Sequence, residues 1–213
     1  MTTAKKPAVE HPPGNIMEHR DDEASKIGMW LFVFTELLLF GALFLVYSIY
    51  RYMHPIAFEL AAAELDVVIG TVNTVLLLIS SMTIAMSISA IQKGDKKLTL
   101  MLLGATLFLA LVFLVNKYFE WSEKIGYGLY PGSATLHDFG HGDTLFFGLY
   151  YFMTGLHALH IVIGMVIIVV AMYQVSKGII NPGDYIFQEN TGLYWHLVDL
   201  IWIFLFPLFY LVT

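Results

Sequence analysis

The sequence contains no cysteine in its 213 residues. This absence excludes disulfide frameworks, thiolate zinc sites, iron–sulfur clusters and cysteine nucleophiles. Charge is also scarce, because 13 % of the residues are charged, whereas soluble domains carry roughly 25 %. The net charge of −6 leaves no basic stripe that could follow a nucleic-acid backbone. We therefore expect neither thiol chemistry nor binding of nucleic acid.

Hydrophobic residues, by contrast, are abundant. They make up 58 % of the chain, and the mean hydropathy is +0.71. After a polar tail at residues 1–26, which we expect to be flexible or interfacial, the sequence contains five apolar runs at 27–50, 67–92, 98–121, 144–176 and 192–212. As a helix, each run is long enough to cross the ~30 Å hydrocarbon core of a bilayer. The sequence therefore predicts an all-α polytopic membrane protein, with a bundle of five transmembrane helices over residues 27–213.

The distribution of basic residues predicts how this bundle is oriented. Eight Lys and Arg residues lie on the side of the polar tail and three lie on the opposite side. Because cytoplasmic loops carry the excess of Lys and Arg, we expect a cytoplasmic N-terminus and a C-terminus outside. No internal repeat is evident, and five helices do not divide into two equal inverted halves, which disfavours a self-sufficient transporter.

A few ionisable side chains lie inside the apolar runs, where each needs a partner or a task. Counting from the ends of the runs places five of them, from three helices, at similar depth. They are Glu36 in the first run, His157 and His160 in the fourth, and His196 and Asp199 in the fifth. Within each pair of the last four, a spacing of three residues places both side chains on one helix face.

Three interpretations of this intramembrane polar cluster stay open on the residues alone. It is a hydrogen-bonded group that fixes helix packing, a site with a lipid-headgroup or proton-linked role, or a site for haem or two metal ions. No second carboxylate accompanies the first, as di-iron bundles require. We therefore assign no catalytic residue, no cofactor-binding residue and no metal ligand to this chain.

Three further residues are secondary candidates. Glu120, near the end of the third run, is expected to reach water beside Lys117. Asn73, near the start of the second run, is typical of close helix packing. Trp195 is expected in the aromatic belt at a membrane interface.

Ordered motifs in all five runs resemble one known family. They are Gly28-Met-Trp-Leu-Phe-Val-Phe-Thr-Glu36, Asn73-Thr-Val-Leu-Leu-Leu-Ile-Ser-Ser81, Lys117-Tyr-Phe-Glu120, Thr154-Gly-Leu-His157-Ala-Leu-His160 and Tyr194-Trp-His196-Leu-Val-Asp199. From about Gly28 onwards the sequence resembles subunit III of haem–copper terminal oxidases, which are the cytochrome c and quinol oxidases. It is similar to the short bacterial form, which has five helices rather than seven.

The resemblance implies a non-catalytic subunit of an aerobic respiratory complex in the bacterial inner membrane. Such a subunit packs against the catalytic subunit I, binds phospholipid and supports sustained proton uptake, while partner subunits carry the haem and copper. Subunit II and a small subunit IV are further candidate partners. In some oxidases of this family, the end of the catalytic subunit carries the two helices that are absent here. The recurrent polar positions of the family match Glu120 and the five residues of the intramembrane polar cluster.

Alternative functions stay open at this point. The complex could oxidise cytochrome c or quinol, or the chain could be the related subunit associated with nitric oxide reductase. More distant alternatives are a proton- or ion-coupled transporter that uses Glu36, His160 and Asp199, and a b-type cytochrome with haem between the fourth and fifth helices.

Overall fold

The computed structural model describes residues 22–134, 136 and 140–211 of the chain. This part of the chain folds into six helices and contains no β-strand, apart from one isolated bridge between Asn181 and Asp184. The helices are α1 (Asp22–Met53), α2 (Pro55–Ala63), α3 (Val67–Gln92), α4 (Lys96–Gly126), α5 (His141–Lys177) and α6 (Ile186–Tyr210). All except the short α2 are long and apolar enough to cross a membrane, so the prediction of five spanning helices is confirmed.

The helix ends differ from the apolar runs in an informative way. The bounds of α3 agree with the predicted run, but α6 begins six residues before its run and α4 continues five residues beyond its run. These extensions are polar turns such as 186–191, in which Gln188 is buried and bonds to Ser87 on α3. An apolar run therefore marks the bilayer core rather than the whole helix. Residues 1–21 of the expected tail lie outside the described residues, and 22–26 already belong to α1.

The short helix α2 was not predicted, because its nine residues contain no spanning apolar run. Pro55 occupies its first turn, where the missing backbone N–H costs no hydrogen bond. The buried Phe58 packs edge-on against Tyr47 of α1 and Phe146 of α5. The connection between the first two spans is thus a packed element of the fold.

The spanning helices form a bundle with α6 near its centre. Helix α6 packs against α1, α3 and α5, and α4 packs against α3 and α5. Helix α1 lies at the periphery, in contact with α2, α5 and α6. Most of its large apolar side chains are exposed, Trp30 included, as expected for a helix that faces lipid or another subunit.

Polar contacts recur along the interface between α3 and α6. The donors on α6 are spaced seven residues apart, as in the left-handed crossing of coiled coils. Gln188 Nε2 donates to Ser87 Oγ at 2.8 Å, Trp195 Nε1 donates to Ser80 Oγ at 3.0 Å, and Trp202 Nε1 donates to Thr74 Oγ1 at 3.0 Å. Small hydroxyl residues on α3 thus satisfy each indole N–H where no water is available.

The expectation for Trp195 is therefore wrong. Its side chain is fully buried at the α3–α6 interface and is absent from the interfacial belt. Gly164 of α5 makes room for it, because a Cβ at this position would lie 2.9 Å from two carbon atoms of the Trp195 ring. The position of Trp195 near a span end suggested the aromatic belt. Its indole N–H instead donates to Ser80 on α3, which allows the side chain to be buried.

This close contact predicts different effects for two glycines of α5. We expect Gly164→Ala to destabilise the fold by about 1–3 kcal/mol, the usual cost of overpacking. The matched control is Gly148→Ala on the same helix, where a Cβ would meet nothing within 4 Å. That control should be neutral or stabilising by up to about 1 kcal/mol, the helix-propensity gain over glycine. Thermal unfolding of both purified variants checks this, and equal midpoints would contradict the close contact.

Candidate functional site

The residues of the predicted intramembrane polar cluster do not form one group. The structure places Glu36 with His160, places His196 and Asp199 around Ser81, and separates His157 from both sets by aromatic side chains. The prediction of a single five-membered group is therefore wrong. Similar depth in the bilayer did not imply contact, because the residues project towards different neighbouring helices.

Glu36 and His160 form a pair across the α1–α5 interface. Glu36 Oε2 lies 3.1 Å from His160 Nε2, and the other ring nitrogen, Nδ1, lies 2.8 Å from the backbone carbonyl of Leu156. Phe40 packs edge-on against the imidazole. The side chains are 16 % and 10 % exposed, respectively, so the pair lies at the rim of the protein interior.

Hydrogen-bond donors and acceptors determine how many protons this pair holds. The Leu156 carbonyl can only accept, so His160 Nδ1 must carry a proton and donate it. A second proton must then lie between Nε2 and the Glu36 carboxyl, because two bare acceptors repel. The pair is consequently either imidazolium with carboxylate or imidazole with carboxylic acid. In both forms its net charge is zero, so its burial costs less than that of a single unpaired charge.

A second set joins α6 to α3. His196 Nδ1 lies 2.6 Å from the hydroxyl of Ser81. The same hydroxyl approaches the carboxyl of Asp199 without reaching hydrogen-bond geometry. Asp199 is 3 % exposed, and neither of its carboxyl oxygens has a hydrogen-bonding partner. An isolated buried carboxylate is costly, so this residue is the least satisfied acidic group among the described residues.

His157 of α5 packs among aromatic side chains of α4 and α6. Its ring stacks on Trp202 with centroids 5.1 Å apart, and Phe113 meets it edge-on at 5.7 Å. The residue is fully buried, and neither ring nitrogen has a hydrogen-bonding partner. In this position His157 acts as a flat aromatic packing element between α4, α5 and α6.

A fourth set contains a buried cation and a buried anion, and corrects the expectation for Glu120. Glu120 is 1 % exposed and does not reach water. Its Oε2 accepts from Lys117 Nζ at 3.1 Å, and its Oε1 accepts from the hydroxyls of Tyr150 and Tyr210 at 2.6 and 2.5 Å. Lys117 Nζ also donates to these two hydroxyls, at 3.0 and 2.8 Å. We call these four residues the Lys117–Glu120 network.

This network is closed in the sense that every strong donor and acceptor in it is used. The three protons of the Lys117 ammonium bind Glu120, Tyr150 and Tyr210, and each tyrosine returns its own proton to the carboxylate. Three ring contacts surround the ammonium, at 4.9–5.5 Å from the ring centroids. The network therefore joins α4, α5 and the end of α6, and each of its proton donors already has an acceptor within the protein.

Sequence reasoning missed most of this network. The signal was present, because Lys117 and Glu120 are three residues apart on one helix face. Their position near a span end suggested that they reach water. The two tyrosines that replace water come from residues 33 and 93 positions away in the chain, which no local pattern reveals.

Asn73 also joins two spanning helices. Asn116 Nδ2 of α4 donates to Asn73 Oδ1 of α3 at 2.9 Å, and Asn73 is fully buried. Thr83 and Thr106 make a second hydroxyl contact between the same helices at 2.8 Å. Within residues 22–134, 136 and 140–211, no three or more His, Asp or Glu side chains are grouped so that they could hold a metal ion.

A family model for cytochrome c oxidase subunit III matches residues 18–213. The chain belongs to the cytochrome c oxidase subunit III family. The match covers all five spanning helices, and with them each polar set described above. The resemblance seen in the motifs is therefore confirmed.

Relatives of this chain are named as subunits of cytochrome c oxidases and of quinol oxidases. The chain is 32 % identical over 200 residues to cytochrome c oxidase subunit 3 of Thermostichus vulcanus, covering 92 % of this chain and 90 % of that one. It is 27 % identical over 202 residues to a probable quinol oxidase subunit 3 of Staphylococcus saprophyticus, covering 93 % and 94 %. Subunits III of cytochrome c oxidases and of quinol oxidases are thus both similar to it.

A third relative is much longer than this chain. The heme-copper oxidase subunit I+III of Aeropyrum pernix is 31 % identical over 212 residues. The alignment covers 95 % of this chain but only 24 % of that protein. In this relative the region similar to subunit III is part of a larger polypeptide that also bears the name of subunit I.

The closed Lys117–Glu120 network predicts a strong asymmetry between single and double variants. Glu120→Gln should destabilise the fold by about 3–5 kcal/mol, because it leaves the buried Lys117 ammonium without a counter-charge. The double variant Lys117→Met with Glu120→Gln should recover part of this loss, because it also removes the cation. Glu123→Gln, at an exposed position of the same helix, is the matched control and should change little.

The measurement is the thermal midpoint of each purified variant in one detergent. A Glu120→Gln midpoint equal to that of Glu123→Gln would show that Glu120 reaches water after all. A double variant less stable than Glu120→Gln would contradict a buried ion pair.

Proposed function

We propose that this chain is the non-catalytic subunit III of a haem–copper oxidase and packs directly against the catalytic subunit I. As a member of the subunit III family, the chain is part of a complex with other oxidase subunits. The observation that carries the finer proposal is the Aeropyrum pernix relative, in which the similar region shares one polypeptide with subunit I. Two regions joined in one chain face each other at high effective concentration, which favours a direct contact.

The contacts of the histidine rings within the bundle favour a non-catalytic role over a redox role. A haem ligand needs a ring nitrogen free to face the iron. His160 uses both nitrogens within the protein, and His196 uses Nδ1 for Ser81. His157 leaves both ring nitrogens without a hydrogen-bonding partner, but it is fully buried, with its ring stacked on Trp202 and met edge-on by Phe113. We propose that this chain binds no haem or copper, and that the partner subunits carry these groups.

The exposed face of α1 supports the proposed partners. Helix α1 leaves most of its apolar surface uncovered, so subunit I, subunit II, a small subunit IV or membrane lipid covers it in the complex. At the end of α1, Arg51 and Tyr52 line a groove of about 570 Å³ together with Leu208 of α6. A phospholipid suits this groove, because its phosphate pairs with the guanidinium and its chains pack on apolar side chains.

The proposed location is the inner membrane of a bacterium, with multiple spans and the N-terminus in the cytoplasm. The five spanning helices make the chain a multi-pass membrane protein. The excess of basic residues on the side of the N-terminus supports the orientation. The electron donor is cytochrome c in the leading proposal. A quinol oxidase is the second candidate, favoured by the similarity to quinol oxidase subunit 3.

Co-purification tests the proposal directly. Tagged chain, extracted from its own membranes in mild detergent, should emerge together with a larger chain that shows a haem absorption band. The larger chain, separated from the tagged one, should retain this band. Tagged chain that emerges without a haem-bearing partner would contradict the assignment, and a haem band that stays with the tagged chain alone would contradict the non-redox role.

The Glu36–His160 pair should affect the endurance of the complex rather than its chemistry. We expect Glu36→Gln and His160→Ala to leave the initial oxidase rate near that of the wild type, because neither residue reaches a redox centre. Both should lower the number of turnovers before inactivation or the stability of the complex, because the contact between α1 and α5 is weakened. Glu59→Gln, exposed on α2, is the control. Immediate loss of all activity in either variant would instead indicate a catalytic site.

A further inference from the structure

Asp199 is a buried carboxyl group that the packing role does not explain. Both of its oxygens lack a hydrogen-bonding partner, although the residue is 3 % exposed and lies inside a spanning helix. Glu36 and Glu120, the other two acidic groups described above, both have partners. A carboxyl group in such a position is stable when it carries a proton, because only the neutral form avoids a large desolvation cost.

The groups around Asp199 connect it to one end of the bundle. Ser81 of α3 approaches the carboxyl, and its hydroxyl bonds to His196 Nδ1 at 2.6 Å. His196 lies one helical turn from Asp199 on the same face of α6. No titratable group of α1, α4 or α5 forms a hydrogen bond or ion pair with Asp199 in the described part of the chain. His196 is thus the one ionisable group linked to it, through a single hydroxyl.

His196 also lines a cleft at the end of the bundle where α1 and α6 begin. The cleft has a volume of about 340 Å³ and includes Trp30 and Asn190 in its wall. Lys26 and Glu189 also line the cleft and form an ion pair, with Lys26 Nζ 3.0 Å from Glu189 Oε2. Such a volume holds several water molecules beside polar groups. The half-buried imidazole of His196 therefore lies between a cleft that contains an ion pair and a buried carboxyl.

We propose that Asp199 is an internal proton-binding site that exchanges protons with this cleft through His196 and Ser81. A proton arriving from water in the cleft converts His196 to imidazolium. Its Nδ1 then donates a proton to Ser81 Oγ, and the Ser81 hydroxyl proton passes to the Asp199 carboxylate. One proton moves in, His196 and Ser81 end neutral, and Asp199 changes from charge −1 to 0. The use of this site in the complex rests on the expected role of subunit III in proton uptake. The existence of the site does not depend on that role.

The proposal can be tested by infrared spectroscopy of the purified complex. A protonated carboxyl absorbs in a separate carbonyl region, and its band shifts in D2O once the proton has exchanged. The wild-type spectrum minus that of Asp199→Asn should therefore isolate a band that shifts rapidly in D2O. Ser81→Ala and His196→Phe, which keeps a ring without a titratable nitrogen, should retain the band but slow its shift by about ten-fold or more, because exchange then requires local opening of the helix packing.

Matched controls separate this route from altered packing. Ser81→Thr keeps the hydroxyl and should retain rapid exchange. Ser80→Ala removes the adjacent hydroxyl, which bonds to Trp195 rather than His196, and should also leave the rate unchanged. No band in the difference spectrum would overturn the proton-binding site. An exchange rate unaffected by Ser81→Ala, or slowed equally by Ser80→Ala, would overturn the route.

These outcomes are distinct from failure of the proposed function. The wild-type chain is isolated first by co-purification with the haem-bearing partner, so a wild-type chain without that partner counts against the assignment as subunit III. The infrared band and its exchange rate count for or against Asp199 alone.

Discussion

The absence of water in the bilayer core is the constraint on which this structure depends. Every polar side chain inside the bundle must find its partner in the protein or avoid bearing charge. The Lys117–Glu120 network meets this demand most completely, because a full ammonium and a full carboxylate balance each other and two tyrosines complete their hydrogen bonds. Glu36 and His160 meet it by sharing a proton. The indole groups of α6 meet it through hydroxyls on α3.

These solutions also explain how the helices are held in place. Helices in lipid gain little from burying more apolar surface, so close packing and polar contacts determine which faces meet. Each polar set joins two or more helices, and none is confined to one helix. Hydrogen bonds between helices therefore occur along the length of the bundle, from Gln188 near the start of α6 to Tyr210 at its end.

The sequence was sufficient for the parts of the structure that depend on composition and local spacing. Five apolar runs predicted five spanning helices, and ordered motifs predicted the family. Contacts between residues that are far apart in the chain could not be predicted from the sequence. Glu120 and Trp195 lie near span ends, where water is the ordinary partner, and only the positions of Tyr150 and Ser80 on other helices make them internal. His157 and Asp199 were expected in one cluster because the depth of a residue can be counted along its helix. The sequence does not show which neighbouring helix each face meets.

The peripheral position of α1 has a consequence for biosynthesis. The ribosome makes this helix before the other five, yet its contacts are with α2, α5 and α6, two of which are made last. Glu36 thus enters the membrane more than a hundred residues before His160 exists. During that interval the carboxyl lacks its His160 partner, and of the helices that contact α1 only α2 has been made. The contact between α1 and α5 therefore forms only after the fourth spanning helix has been made.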